Sequence, residues 1–410
     1  MFIKRILLAT TPELSLGVLL VFSSNIGQTF FISLFSGEIR NEFNLSHGMF
    51  GLFYSVATLT SAVAFFWLGK LTDQFNLTLL GLVTLGLLSG FSFLISSAET
   101  LIMLFLSLFG LRLFGQSMIS HIAVTAMARW FSKKRGRALS IALMGHPIGE
   151  ALLPFLITFF LLQFTWREIW VGIGSCIIII FFPLVCWLGR HLKSQKLLSN
   201  NSLPKLKKKL NASWNRSQVL KDSRFYQIIP GLLASPFIVT GVFFHQIHLI
   251  ETKSWSTSLW ASSYPFFALS VTGGTLGSGW IVDRFSTVHL LRFFLTPLAF
   301  GLLLIVSTDN AYAAPIFMIL IGASTGAATI VFSTLWIELY GIEYLGSIRS
   351  MCISLVVLST SISPALIGLL LDIGFTLEVQ FIIFAIYIII CSISFAILTP
   401  HLLITRSPPS

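Results

Sequence analysis

Twelve apolar stretches, each about the 20 residues that a helix needs to cross a bilayer, follow one another with no polar interval large enough for a soluble domain. Cut at its polar punctuation, the 410-residue chain gives candidate spans near 13–35, 48–68, 77–97, 101–128, 138–162, 168–189, 224–250, 257–280, 289–307, 312–337, 349–371 and 377–399. Composition agrees. Only 10% of residues are charged, against roughly 25% in soluble domains, and mean hydropathy is +0.89. The first stretch is too long for the core of a cleaved signal peptide, so it is expected to be retained as span 1.

Orientation follows from the basic residues, which concentrate on the cytoplasmic side of membrane proteins. With the N-terminus inside, 22 of the 26 Lys and Arg fall in inward segments, only Arg40, Arg167 and Lys253 fall outside, and Arg112 lies within a span. Both termini are therefore expected in the cytoplasm, and the net charge of +11 is mainly a topology signal. The Lys205–Lys209 run reads as a linker touching anionic headgroups, with no nucleic acid as partner. Residues 1–189 form a first six-helix bundle, 190–223 a polar cytoplasmic linker and 224–410 a second bundle. Cys176, Cys186, Cys352 and Cys391 lie in apolar stretches without metal spacing, so neither a disulfide framework, a metal nor a cofactor is expected.

The two halves are related by an internal duplication. Gly69-Lys70-Leu71-Thr72-Asp73-Gln74-Phe75 ends span 2, and Gly279-Trp280-Ile281-Val282-Asp283-Arg284-Phe285 ends span 8, at an offset of 210 residues. The same offset, without a gap, pairs Gly136 with Gly346, Ser140 with Ser350 and Pro154 with Pro364. Agreement at separated sites argues for a repeated six-span half.

These loops, with Arg112 followed by Gly115-Gln116 in span 4, resemble the signature loops of the major facilitator superfamily. The segment from Ala128 to Ala138 is similar to the span 4 to 5 region of bacterial monocarboxylate and organic-anion porters. The resemblance implies an all-α membrane fold of twelve helices in two pseudo-symmetric bundles. It also implies a central cavity lined by spans 1, 4, 7 and 10, and loop residues Gly69, Asp73, Gly279, Asp283 and Arg284 acting as gates. Gln74 and Asn76-Leu77-Thr78 depart from the usual basic residues after the first loop aspartate.

Polar residues inside spans are costly and are functional candidates. Arg112 and Glu150 fall near mid-depth on consecutive antiparallel spans, with Gln116 and His146 four residues away on the same helix faces. Two readings stand. Arg112 offers a planar fork to an anion while Glu150 binds and releases a coupling proton, or the two form a buried pair that fixes packing. Asn25 and Gln28 in span 1 are substrate contacts or interhelical hydrogen-bonding groups. His245 and His248 in span 7 suit proton relay or an outer gate better than a metal site. Gly145 and Gly149 partly resemble a drug-antiporter signature, and their plain reading is close helix packing.

The expectation is a monomeric, multi-pass carrier in a plasma (bacterial inner) membrane, taking up a small organic anion such as a monocarboxylate with a proton by alternating access. Export of amphipathic compounds is the alternative in the same fold, favoured by a roomy, phenylalanine-lined cavity. An enzyme is disfavoured because no HExxH or paired intramembrane aspartates occur, and a sensor lacks a soluble output domain.

Overall fold

The computed structural model describes residues 12–131, 135–192, 214–341 and 344–402. Lys4, Arg5, Lys133, Lys134, Arg406 and residues 193–213 of the expected linker lie outside the described residues. Every regular element among the described residues is helical. Among the described residues nine helices are long and apolar enough to cross a membrane, and the bent pair Pro12–Gly27 and Thr29–Phe43 makes a tenth. Two further segments complete the twelve expected: Thr257–Phe285, rich in Ser, Thr and Gly, and Thr296–Ser307, entered through the short helix Thr287–Leu290.

The spans group into two units. The first comprises Met1–Leu45 and Phe53–Pro204, and the second Ser46–Leu52 and Lys205–Ser410. Helix His47–Leu68, span 2, is thus divided between them, its first turns belonging to the second unit. The last part of the stretch read as linker is folded onto the second unit. Asn215 closes a capping box on Arg216–Val219, and the Trp214 amide donates to the Tyr340 carbonyl at 3.0 Å. Asp222 accepts from Arg224 Nε at 2.8 Å and from the Tyr340 hydroxyl at 3.1 Å. The guanidinium also lies 5.3 Å from the Trp214 ring centre.

Spans 1 and 7, counterparts under the duplication, are both interrupted. Span 1 bends by 50° at Asn25–Gly27, a 3-10 turn, and Gln28, whose φ of −81° and ψ of 154° are extended. Span 7 breaks at His245, between helices Ser223–Phe244 and Gln246–Thr252. Span 4 carries a third irregularity, a nine-residue π-helical run over Leu111–Ile119 inside Leu101–Trp130. Such wide turns concentrate at functional positions.

The repeated loops are each held from a neighbouring span, with opposite chemistry. In the first unit Arg129 donates to the Thr72 carbonyl at 2.6 Å, and the Thr72 hydroxyl, which donates to Gly69 O at 2.8 Å, accepts from His121 Nε2 at 3.3 Å. In the second, Glu338 of span 10 accepts from the Thr287 amide at 2.9 Å and its hydroxyl at 2.6 Å, an anion at a helix N-terminus.

Spans 8 and 10 of the second unit meet backbone to backbone. A Cβ added to Gly326 would lie 2.3 Å from the Val271 carbonyl and 2.7 Å from the Thr275 nitrogen, whereas Gly279 on the same span 8 has nothing within 4 Å. Small residues allow this approach where no hydrophobic force acts between helices in lipid. Gly326→Val is therefore expected to destabilise the protein by about 1–3 kcal/mol through overpacking. Gly279→Ala is expected to be neutral or slightly stabilising through helix propensity. Thermal unfolding in detergent or nanodiscs measures both, and equal effects would contradict the packing.

Candidate functional site

The break in span 1 and the π-helical run of span 4 are two parts of one construction. Gly27 meets span 4 so closely that an added Cβ would stand 2.3 Å from Leu111 O, 2.5 Å from the Gln116 amide and 2.7 Å from Gly115 Cα. Unwinding at Gln28 leaves the Gly27 carbonyl without a helical donor, and the Arg112 Nη1 donates to it at 2.9 Å. The same guanidinium donates to the Thr58 hydroxyl through Nε at 3.1 Å and to Thr29 Oγ1 at 3.4 Å. Its carbon lies 5.1 Å from the Tyr54 ring centre, a cation–π position. Tyr54 in turn donates to Thr29 Oγ1 at 2.9 Å. Arg112 is only 2% exposed.

The arginine thus forms no ion pair with Glu150, which corrects the buried-pair reading. Both nearby partners on span 2, Tyr54 and Thr58, are neutral. Glu150 is partly exposed and has no hydrogen-bond or ion-pair partner there. Gln116 is partly exposed as well, with its backbone rather than its side chain against span 1.

Span 5 is fitted against span 1 by its glycines. A Cβ on Gly145 would stand 2.6 Å from Val18 O, and one on Gly149 2.1 Å from Asn25 Nδ2, so both serve close packing. Asn25 is wholly buried, and its Nδ2 donates to Phe22 O at 3.0 Å and to Gly145 O at 3.1 Å. Its Oδ1 is buried without a donor. His146 Nε2 donates to the Ser120 hydroxyl at 3.3 Å, and that hydroxyl donates to Ser24 Oγ at 3.4 Å. Gln28 is partly exposed at the bend. Within the first unit Asn25 is thus joined to span 5, Arg112 to Gly27, Thr29, Tyr54 and Thr58, and His146 to Ser120 and through it to Ser24, while no hydrogen bond or ion pair ties the side chains of Gln28, Gln116 or Glu150 to them among the described residues. Tyr54 and Thr58 carry one sequence signal that would have found them, a polar pair four residues apart on one face of a mainly apolar helix.

His245 and His248 belong to the second unit and form a separate group. Next to them Gln246, fully buried, accepts from Trp260 Nε1 at 2.8 Å and from the Tyr264 hydroxyl at 2.6 Å. Of the loop residues, Asp283 and Arg284 are exposed; Arg284 lies 5.5 Å from the Trp280 ring centre. Asp73 sits on the short helix Leu71–Gln74 after Gly69.

An apolar cavity of about 510 Å³ opens beside spans 1, 5 and 6, lined by Phe22, Phe31, Phe160, Phe164 and Phe181 among others. Neither Arg112 nor Glu150 lines it. It approaches the polar cluster at Ile26 and Leu153. A smaller cavity of about 360 Å³ occupies the corresponding spans 7, 11 and 12 of the second unit. Among the described residues no cluster of His, Cys, Asp and Glu is arranged to hold a metal.

Comparison with known proteins agrees with this architecture. The family model "Major Facilitator Superfamily" matches residues 17–357. No curated protein matches the sequence. Among solved structures, a bacterial homologue of the human lysosomal transporter Spinster, in an inward-facing and unoccupied conformation, is similar with a TM-score of 0.72. That likeness has 14% identity and covers 98% of this chain and 100% of the other. The nucleoside transporter NupG also gives a TM-score of 0.72, at 13% identity over 94% of this chain and 98% of its own. A duplicated twelve-helix membrane fold, a buried span 4 arginine and a family match over most of the chain lead to one conclusion: the chain belongs to the major facilitator superfamily and is a membrane transporter rather than an enzyme.

Proposed function

We propose that this transporter carries a small organic anion, such as a monocarboxylate, together with a proton, with both termini on the cytoplasmic side of a plasma membrane. The observation that carries the reading is Arg112, a buried guanidinium whose hydrogen-bond partners among the described residues are all neutral. A buried cation without a counter-charge is expensive, and an anionic ligand at the guanidinium would supply that charge. Asn25, Gln28 and Gln116 are the neighbouring polar groups proposed to contact the remainder of the ligand. Glu150 and His146 are the proposed proton-carrying groups, and the 22 to 3 distribution of Lys and Arg supports the orientation. The exposed loop groups Asp283 and Arg284, with Gly69, Asp73 and Gly279, remain the proposed gating loops. The carrier is proposed to act as a monomer.

A second reading is favoured by one specific observation. The phenylalanine-lined cavity suits the hydrocarbon part of an amphipathic compound, and export of such compounds is the alternative.

Two expectations follow for the purified protein in liposomes. Arg112→Ala should lower uptake of the carried anion by about 10- to 100-fold, the loss of one charge-assisted hydrogen bond, with Arg112→Lys only partly restoring it because the fork is lost. Unchanged uptake in Arg112→Ala would sink the anion site. Uptake by the parent should rise as the outside is acidified, because protonated Glu150 loads the carrier. Glu150→Gln should flatten that pH profile while leaving exchange of labelled for unlabelled anion intact. A parent profile that is flat from the start, with a panel of alkyl ammonium compounds moved in preference to carboxylates, would favour the amphipathic reading instead.

A further inference from the structure

The cavity of about 510 Å³ in the first unit is a slot rather than a chamber. Its floor is span 1, at Phe22, Ile26 and Phe31, and its walls are spans 5 and 6. It runs from Leu153 to Phe164 along span 5 and from Phe181 to Glu168 along span 6, about 15–20 Å at the rise of a helix. That length gives a mean section of about 25–35 Å², room for one hydrocarbon chain and not for two. The rings of Phe22 and Phe181 stack at 6.0 Å and close the inner end. The other end reaches the turn between spans 5 and 6, where Thr165 and Glu168 form a capping box.

The mouth faces the bilayer. Leu156, Phe160 and Phe164 line the slot and are themselves exposed, as is Gly172 opposite them. Every exposed residue from Leu152 to Leu162 and from Val171 to Ile180 is apolar, and a surface of that composition at this depth meets acyl chains. The floor is different. Ile26 and Phe31 are 6% and 1% exposed, so only a molecule inside the slot reaches them.

The lining decides what the slot can hold. A buried water needs two to four polar partners, and Glu168, the one charged residue along the slot, already accepts from the Thr165 amide and hydroxyl, each at 2.8 Å. An empty space among these rings would forfeit their contacts. The hydrocarbon core is about 30 Å thick, so a lipid of one leaflet reaches about 15 Å to the midplane, the depth of the slot. The corresponding cavity of the second unit differs. It touches span 12 only from Ile383 to Tyr387, about 6 Å of helix, and it carries the Ser359 and Tyr387 hydroxyls.

We propose that the slot holds one acyl chain of a membrane phospholipid, as a resident of the first unit rather than as cargo. The lipid belongs to the leaflet at the turn between spans 5 and 6, the outer one in the proposed orientation. Its chain enters between spans 5 and 6, lies along span 1 as far as the Phe22–Phe181 stack and leaves the headgroup at the turn. This stands whichever ligand Arg112 takes, and it gives the phenylalanine-lined space to bound lipid instead of a carried amphipathic compound.

The test uses the full chain in phosphatidylcholine nanodiscs in which a small fraction of the lipid carries a photoactivatable diazirine midway along one acyl chain. After irradiation, adducts are mapped by mass spectrometry, and the readout is labelling at Ile26 and Phe31 relative to Val83 and Leu87, exposed residues of span 3. Both floor residues are expected to be labelled, and Gly172→Phe is expected to lower the ratio by about 10-fold. A Cβ at Gly172 meets nothing within 4 Å, so the added ring has open space to enter. Cys176→Phe, on the same wall, is a second filler. Adducts confined to the exposed Leu156 and Phe160 would overturn the proposal, as would a ratio unchanged in both filled variants. So would displacement of the label by dodecyltrimethylammonium at a membrane fraction at which unlabelled phosphatidylcholine leaves it in place, which would make the slot a site for carried amphipathic compounds.

Discussion

A backbone carbonyl inside a bilayer has no water to turn to, and the whole first unit is organised around one such group. Span 1 unwinds at Gln28 and so strips the Gly27 oxygen of its helical donor, a break that lipid alone would not tolerate. Arg112 supplies the donor. For the guanidinium to reach that oxygen, spans 1 and 4 must touch through glycines, Gly27 against Gly115. The wide turns of Leu111–Ile119 bring the arginine round to the contact. Thr58, Thr29 and the Tyr54 ring then complete its surroundings without adding negative charge. Break, glycine contact, π-helical run and unpaired cation are one interlocked arrangement, and removing any one leaves another without a partner.

The two units share a sequence register and differ in chemistry at matched positions. The counterpart of Arg112, 210 residues on, is Gly322, which together with Gly326 seats span 10 on span 8. Where the first unit holds its loop with Arg129 and the His121 imidazole, the second holds its loop with the anion Glu338. Each solution suits its own local dipole: Arg129 meets a free carbonyl, and Glu338 meets free amides at the start of Thr287–Leu290. Duplication conserved where a loop must be fastened, while the fastening itself diverged.

Much of this was legible in the residues. Apolar runs of bilayer length gave the twelve segments, and the spacing of Asp73 from Asp283 gave the repeat. Arg112 declared itself because a charge in a span needs a reason. Its partner could not be read the same way. The notion that it faces Glu150 assumed regular helices, and helix faces cannot be set from one sequence when a π-helical run changes the rotation per residue and span 1 is broken. Gln28 gave no sign that its backbone, rather than its amide, would shape the centre. A histidine beside Asn44, Leu45 and Ser46 reads as loop, so nothing in the residues marks His47 as the first position of the span 2 helix. The folded turn at Trp214–Val219 was hidden within a Lys- and Ser-rich stretch, where composition speaks louder than a single Asn215-to-Gln218 cap.

The wholly buried Asn25 oxygen that lacks a donor has a further meaning for how this unit behaves. An amide whose nitrogen is anchored twice cannot swivel to relieve its oxygen, so the bend of span 1 keeps one buried acceptor fixed in orientation.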